Sequence, residues 1–104
     1  PQRVRAAVVQ LVTASQPERP EATPEVRRFV SYGVSPRGAQ SMILGAKALA
    51  LMQGRFNVAF SDLAAVALPV LRHRIQLNFE AEAEQVTAED LISQLASRFL
   101  NASR

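Results

Sequence analysis

The first fifteen residues carry a helical pattern of apolar positions. These positions recur every three or four residues, which places them on one stripe of a helix from Gln2 to Gln16: Val4, Ala7, Val8, Leu11, Val12 and Ser15. Three prolines between Pro17 and Pro24 then predict a loop, because each proline fixes φ and disfavours helical geometry in the residue before it. Thr23 and Pro24 are typical of a helix start, and we expect this second helix to end at Gly33.

The most hydrophobic segment runs from Pro36 to Gln53. Ser35 is a favourable N-cap, and Pro36 suits the first helical position. The apolar residues form two neighbouring stripes, Ala39, Met42, Ile43, Ala46 and Ala50 on one and Leu44, Ala48 and Leu51 on the other. A helix that is apolar around most of its circumference is normally buried. The pattern therefore predicts that this helix is the most buried element of the domain, with Gly54 ending it.

The second half of the chain predicts shorter elements. Arg55–Val58 and Gln76–Phe79 are typical of extended segments, whereas Ser61 is a candidate cap for a helix that contains Pro69. Pro69 lacks the N–H that would bond the Ala65 carbonyl, so we expect a break or sharp kink there. Thr87 and Asp90 form a capping box for a last helix, whose predicted buried stripe is Leu91, Ile92, Leu95 and Phe99.

Together these patterns predict one all-α domain over residues 1–104, a small bundle of four to six helices with at most a minimal pair of extended segments. The chain contains no Cys, which excludes disulfides, Cys-ligated zinc and a thiol nucleophile. No apolar stretch is long enough to predict membrane insertion. Because Pro1 leads directly into a charged amphipathic pattern, we expect the sequence to be a piece of a longer polypeptide.

The net charge of +3 is modest for 104 residues, although arginine supplies nearly all of the positive charge. Local pairs occur at Arg27–Arg28 and at Arg72 and Arg74, which leaves a small basic helical nucleic-acid-binding module as an alternative. A helical protein-interaction module is a second alternative. Three or more arginines converging on one exposed face would favour DNA, and an exposed apolar face beside Arg37 would favour docking on another domain.

Few residues are candidates for chemistry. No phosphate-binding loop or metalloprotease motif is present, and His73 has no second imidazole with which to bind a metal. The carboxylates of Glu80, Glu82 and Glu84 would face one way on a strand, where we favour a solvated acidic edge over a cation site. Arg37 differs, because a guanidinium at the start of a helix is unfavourable unless an anion approaches, and its planar fork suits phosphate oxygens. Its position alone favours the alternative, since arginines at helix starts often only extend into solvent.

The segment Tyr32-Gly33-Val34-Ser35-Pro36-Arg37-Gly38 resembles the Y-G-A-S-P-R-A segment of MoxR-type AAA+ ATPases. The similarity continues through Ala46–Leu51, Gly54-Arg55, Asp62-Leu63 and Pro69-Val70-Leu71-Arg72-His73-Arg74-Ile75, and it runs from about Arg3 to Phe99. Val34 and Gly38 stand where that family usually has Ala, and Phe60 stands in a loop that is more often polar. The resemblance is to the C-terminal lid of the family.

The resemblance implies a function that composition and spacing alone do not give. In that family the arginine of the SPR motif is the sensor 2 residue, which reaches the phosphates of ATP, so Arg37 takes that role. Tyr32, Gly33, Val34, Ser35 and Pro36 would lie near the nucleotide.

The same resemblance implies an ATPase core before Pro1 that binds ATP and Mg2+, so the 104 residues alone would not hydrolyse ATP. It also implies rings, commonly hexamers, and chaperone-like remodelling in the cytoplasm of bacteria, with von Willebrand factor A domain proteins among the partners.

Overall fold

The computed structural model describes residues 2–100, so the outer boundaries predicted at residues 1 and 104 lie outside the described residues. Within this range six helices and two short strands follow one another: α1 (Gln2–Ala14), α2 (Pro24–Phe29), β1 (Val30–Tyr32), α3 (Pro36–Met52), α4 (Phe60–Leu71), β2 (Gln76–Leu77), α5 (Phe79–Ala83) and α6 (Ala88–Phe99). The prediction of an all-α bundle with a minimal pair of extended segments is confirmed.

The core lies between the four longer helices. Helix α3 packs against α1 and α4, and α6 packs against the same two helices. The apolar stripes predicted for α1 and α6, and the first stripe of α3, supply most of the side chains there: Val8, Leu11, Met42, Leu63, Leu71, Leu91, Ile92 and Leu95. Full burial of a side chain of this kind stabilises a fold by about 1.5–3 kcal/mol, so this cluster accounts for the packing of the four helices.

Three helices begin at the N-cap residues that the sequence predicts. Thr23 Oγ1 accepts a hydrogen bond from Val26 N at 3.2 Å, and Ser35 Oγ accepts one from Gly38 N at 3.2 Å. Thr87 and Asp90 form the expected reciprocal pair, with distances of 3.1 and 2.9 Å. Gly54 follows the end of α3 with a φ of +77°, a conformation that glycine adopts without steric cost.

Helix α3 is not the most buried element, and that prediction is wrong. Four of its 17 residues are buried, against five of the 13 in α1. Its first stripe faces the core, but Leu44 and Leu51 of its second stripe are 66% and 59% exposed. The hydrophobic pattern identified both faces correctly as apolar. Within residues 2–100, however, only one of the two faces is covered.

Helix α4 continues through Pro69, so the predicted break is also wrong. Pro69 lies in the last turn, and Arg72 N still donates to Leu68 O at 2.9 Å. Only the bond to the Ala65 carbonyl is lost, and both Ala65 and Pro69 are exposed, so water can solvate that carbonyl. The core contacts of Leu63, Ala67 and Leu71 keep the helix continuous.

Several element boundaries differ from the sequence prediction. The end of α2 differs because two distant segments pair as strands. Helix α2 ends at Phe29, before Gly33, since residues 30–32 form β1 and pair antiparallel with β2, Val30 opposite Leu77 and Tyr32 opposite Gln76. Residues 55–58 form an irregular loop, without the predicted extended structure, and the cap of α4 is at Ala59 instead of Ser61. Residues 79–83 form helix α5, so Glu80 and Glu82 are not on a strand.

Within residues 2–100 no helix has both the length and the hydropathy that crossing a lipid bilayer requires.

Candidate functional site

The loop that carries the SPR motif is fixed to the end of α1 by two hydrogen bonds, and a third orients the serine that takes part in one of them. The buried Ser15 hydroxyl accepts from Val34 N at 2.9 Å and donates to Val12 O at 2.6 Å. Gln16 Nε2 donates to Val34 O at 2.5 Å. Because both backbone polar groups of the buried Val34 are bonded, the loop enters α3 in one defined conformation. These residues, which we name the Ser15–Val34 clamp, set the position of the first turn of α3.

Gly33 permits this approach of two backbone segments. A Cβ atom on Gly33 would lie 2.2 Å from the Ser15 carbonyl oxygen, well inside van der Waals contact. Any side chain here would push the loop away from α1 and would break the clamp. Gly33 therefore has a steric role, and the sequence prediction that it ends α2 is wrong because the helix stops at Phe29.

The predicted site residues lie in sequence along this loop and the start of α3. Tyr32 is the last residue of β1 and is 70% exposed. Ser35 caps α3, Pro36 occupies its first turn, and Arg37 follows on the exposed side. Within residues 2–100 the Arg37 guanidinium has no hydrogen bond or ion pair, and the first turn of α3 contains no acidic residue. Arg37 is therefore available to an anion from outside the described residues.

The α4–β2 turn lies next to this segment because β1 pairs with β2. Tyr32, His73, Arg74, Ile75 and Gln76 line an open cleft of about 400 Å³. The stem of Arg74 also passes α3, since a Cβ on Gly38 would lie 3.5 Å from Arg74 Cδ. The structure thus brings Tyr32 and Arg74 together beside the start of α3.

An exposed apolar stripe shares the Arg37 face of α3. Arg37, Leu44 and Leu51 are spaced by seven residues, nearly two turns of a helix with about 3.6 residues per turn, so they lie almost in line. Ala48 is exposed between the two leucines. We call Leu44, Ala48 and Leu51 the α3 stripe. Large exposed apolar residues in a row are typical of a surface that another protein segment covers.

The connection between α3 and α4 is held by a half-buried ion pair. Arg55 donates to both carboxylate oxygens of Asp62, at 2.8 and 2.7 Å, and Asp62 Oδ2 also accepts from Ala59 N at 2.8 Å. Asp62 is 2% exposed. The hydrogen bonds from Arg55 and then from Ala59 lower the pKa of Asp62 to about 2, against the opposing effect of burial. The pair fixes the loop that presents Phe56, which is 92% exposed.

The carboxylates after β2 pair with an arginine. Arg28 Nε lies 2.6 Å from Glu80 Oε2, and Arg28 Nη2 lies 3.4 Å from Glu84 Oε2, with all three side chains about half exposed. The hydrogen bond to Glu80, and then the negative charges of Glu80 and Glu84, raise the pKa of Arg28. Surface pairs of this kind contribute little stability, but they link α2 to α5. Within the described range there is no cluster of three or more potential metal ligands.

The arginines that suggest nucleic-acid binding do not converge on a free face. Arg72 lies 3.4 Å from Glu89, and Arg27 donates to the carbonyls of Arg19 and Pro20. The apolar face beside Arg37, in contrast, is present. The criterion set out from the sequence therefore favours docking on another domain over DNA binding.

Sequence reasoning missed the Ser15–Val34 clamp, the Arg55–Asp62 pair and the position of Arg74. One signal for the clamp was visible, because Ser15 is a polar residue on an otherwise apolar stripe, and a buried hydroxyl needs a partner. No local signal indicates the other two, since each depends on a contact between elements that the chain brings together only after folding.

Comparisons with known proteins identify the family of this domain. A sequence model of the AAA lid domain family matches residues 18–95, which include Arg37, the α3 stripe and Arg74, and the chain therefore belongs to this family. The chain is also similar to two MoxR proteins: it is 34% identical over 88 residues to the chaperone MoxR1 of Mycobacterium tuberculosis and 43% identical over 54 residues to the protein MoxR of Paracoccus denitrificans.

The alignments cover 85% of this chain and 23% of MoxR1, and 52% of this chain and 16% of the Paracoccus protein. A crystal structure of a Cytophaga hutchinsonii protein assigned as an ATPase matches all of this chain and 31% of its own, with 30% identity and a TM-score of 0.87. The chain thus spans less than a third of each of these relatives.

Proposed function

We propose that this domain is the nucleotide-sensing lid of a MoxR-type AAA+ ATPase, and that Arg37 is its sensor 2 residue. In this proposal the lid closes over ATP bound to an α/β core and transmits the nucleotide state to neighbouring subunits of a ring. The ring, commonly a hexamer, remodels client proteins in the cytoplasm, with von Willebrand factor A domain proteins among its partners. The observation that carries the proposal is the unpaired Arg37 in line with the uncovered α3 stripe.

This domain supplies one part of a phosphate-binding site, and the core would supply the rest. Arg37 offers a planar fork of donors, and the Ser15–Val34 clamp holds the turn from which it projects. Residues 2–100 contain no group of three or more His, Cys, Asp or Glu side chains that could hold a metal ion, and the 104 residues contain no phosphate-binding loop. The metal ligands and the amides that cradle the phosphates would belong to the core, and Mg2+ would there neutralise charge on the transferred phosphoryl group.

The α3 stripe gives the closure a physical basis. Leu44 and Leu51 lie on the Arg37 side of the helix, so a domain that covers them also meets the guanidinium. Burial of apolar surface contributes about 25 cal/mol per Å² and has no directional requirement, whereas the phosphate contact of Arg37 is directional. Together they would hold the lid closed only when the nucleotide is in place.

Replacement of Arg37 in the full-length protein tests this function. We expect Arg37→Ala to lower ATPase turnover by roughly 10- to 1000-fold, with a smaller loss of nucleotide affinity, because the lost donor acts mainly on charge that develops in the transition state. Arg37→Lys should restore only part of the activity, since an ammonium group lacks the fork.

Arg72→Ala is the matched control, because Arg72 is also exposed but pairs with Glu89. Steady-state ATPase rates and fluorescent-nucleotide affinities should be compared at equal ring assembly. Turnover by Arg37→Ala equal to that of the wild-type protein would show that Arg37 is not the sensor.

A further inference from the structure

Arg74 has a position that the sequence motif does not indicate. It lies in the turn between α4 and β2, where its backbone N–H donates to Leu71 O at 2.9 Å. Its side chain runs past Gly38, the residue that follows Arg37, and a Cβ there would be 3.5 Å from Arg74 Cδ. Arg74 is exposed, so its guanidinium extends beyond α3 into solvent.

Arg74 differs from its neighbour Arg72 in its charge environment. Arg72 Nε lies 3.4 Å from a carboxylate oxygen of Glu89, which compensates its charge. Within residues 2–100 neither Arg74 nor Arg37 has an acidic partner in an ion pair. Arg3, Arg5, Arg27 and Arg98 share this property, so what distinguishes Arg37 and Arg74 is their common place beside the start of α3. An anion at this end of α3 would be attracted by both positive charges.

The open cleft beside Arg74 combines aromatic side chains with a positive charge. Tyr32 and His73 contribute rings, Arg74 contributes a forked donor, and the volume is about 400 Å³. The ring of Tyr32 is mostly exposed and can stack on a planar group, while the guanidinium can bond phosphate oxygens. This combination suits a compound that carries both a phosphate chain and a flat heterocycle.

We propose that Arg74 is a second phosphate-contacting residue of the site, and that it acts with Arg37 on the polyphosphate of a bound nucleoside triphosphate. The proposal rests on the proposed nucleotide-sensing function and adds a binding role for Arg74 beside the sensor role of Arg37. Arg74 contacts the ground-state nucleotide and so contributes to affinity. The two arginines together favour the triphosphate over the diphosphate, which carries less charge.

The test compares Arg74→Ala with Arg72→Ala in the full-length protein, using fluorescent ATP and ADP analogues as probes. We expect Arg74→Ala to weaken ATP binding by about 10-fold and to weaken ADP binding less, as loss of one charge-assisted contact predicts. Arg72→Ala should leave both affinities within about twofold of wild type.

The outcomes separate the two proposals. Equal affinities for Arg74→Ala and Arg72→Ala, in a protein where Arg37→Ala still lowers turnover as expected, would overturn the role of Arg74 alone. No nucleotide binding by the wild-type protein would overturn both. A melting temperature for Arg74→Ala within about 2 °C of wild type, together with partial recovery of ATP affinity by Arg74→Lys, would show that the loss comes from the missing charge and not from unfolding.

Discussion

At the scale of single residues, Val34 and Gly38 compensate for one another. A Cβ on Gly38 would lie 2.7 Å from Val34 Cγ1, so the valine side chain fills the space that an alanine methyl would need. These are the two positions at which the motif departs from the alanines usual in the family it resembles. The larger residue at one position thus accompanies the smaller residue at the other, and the packing at the start of α3 is kept.

This compensation predicts non-additive effects on stability. Gly38→Ala alone introduces a clash that costs about 1–3 kcal/mol, offset in part by the better helix propensity of alanine, and Val34→Ala alone leaves a small cavity. The double variant has neither the clash nor the cavity. Urea unfolding of the four proteins should therefore give a coupling free energy of at least about 1 kcal/mol in favour of the double variant. Additive effects would show that the two side chains do not compete for one space.

At the scale of elements, the Arg55–Asp62 pair makes the α3–α4 connection sensitive to acid. The pKa of Asp62 is lowered in the fold to about 2, from a usual value of 3.8, so the unfolded chain binds the proton more readily. The pair stabilises the fold fully above the unfolded pKa. Its contribution is lost as the pH falls from about 5 toward 2.

Comparison of the wild-type protein with Asp62→Asn isolates this effect. The free energy of unfolding should fall more steeply for wild type than for the variant over that pH window, and at pH 7 Asp62→Asn should be destabilised because Arg55 loses its carboxylate. Glu89→Gln is the control, since its pair with Arg72 is exposed and contributes little. Parallel pH profiles for wild type and Asp62→Asn would contradict the assignment.

The predictable elements are those whose ends are encoded locally. Ser35-Pro36 and Thr87 with Asp90 carry their capping groups within one turn, and both helices begin where expected. Pro69 was misleading because its penalty is a single hydrogen bond near a helix end, which the core contacts of Leu63 and Leu71 outweigh. Within the site, the place of Arg37 in the first turn of α3 follows from the Ser-Pro start of the helix. The places of Ser15 and Arg74 were not predictable, because their contacts join residues distant in sequence.

At the scale of the whole molecule, the α3 stripe predicts that the domain is completed by a neighbour. In the full-length protein, Leu44→Ser with Leu51→Ser should reduce ATPase turnover by about 10-fold or more, because the lid would lose the apolar contact that holds it closed. The fold itself should tolerate the change, since both side chains are exposed. ATPase rates and melting temperatures measure the two effects separately.

Val9→Ser provides the matched control for that experiment. Val9 is exposed to a similar degree, at 61%, but lies on α1 and not on the stripe. Its replacement should leave turnover unchanged. If the stripe variant and Val9→Ser behave alike, the exposed leucines do not form the docking face.

The Ser15–Val34 clamp also determines how the site fluctuates. The amide of Val34 belongs to a loop, yet its proton is held by a buried hydroxyl at the end of a core helix. Local opening of the loop therefore has to break a hydrogen bond to a buried hydroxyl, which costs more free energy than opening a loop whose amides are bonded to water. In the proposed function, Arg37 would consequently move to or from the phosphates by a displacement of the domain as a body.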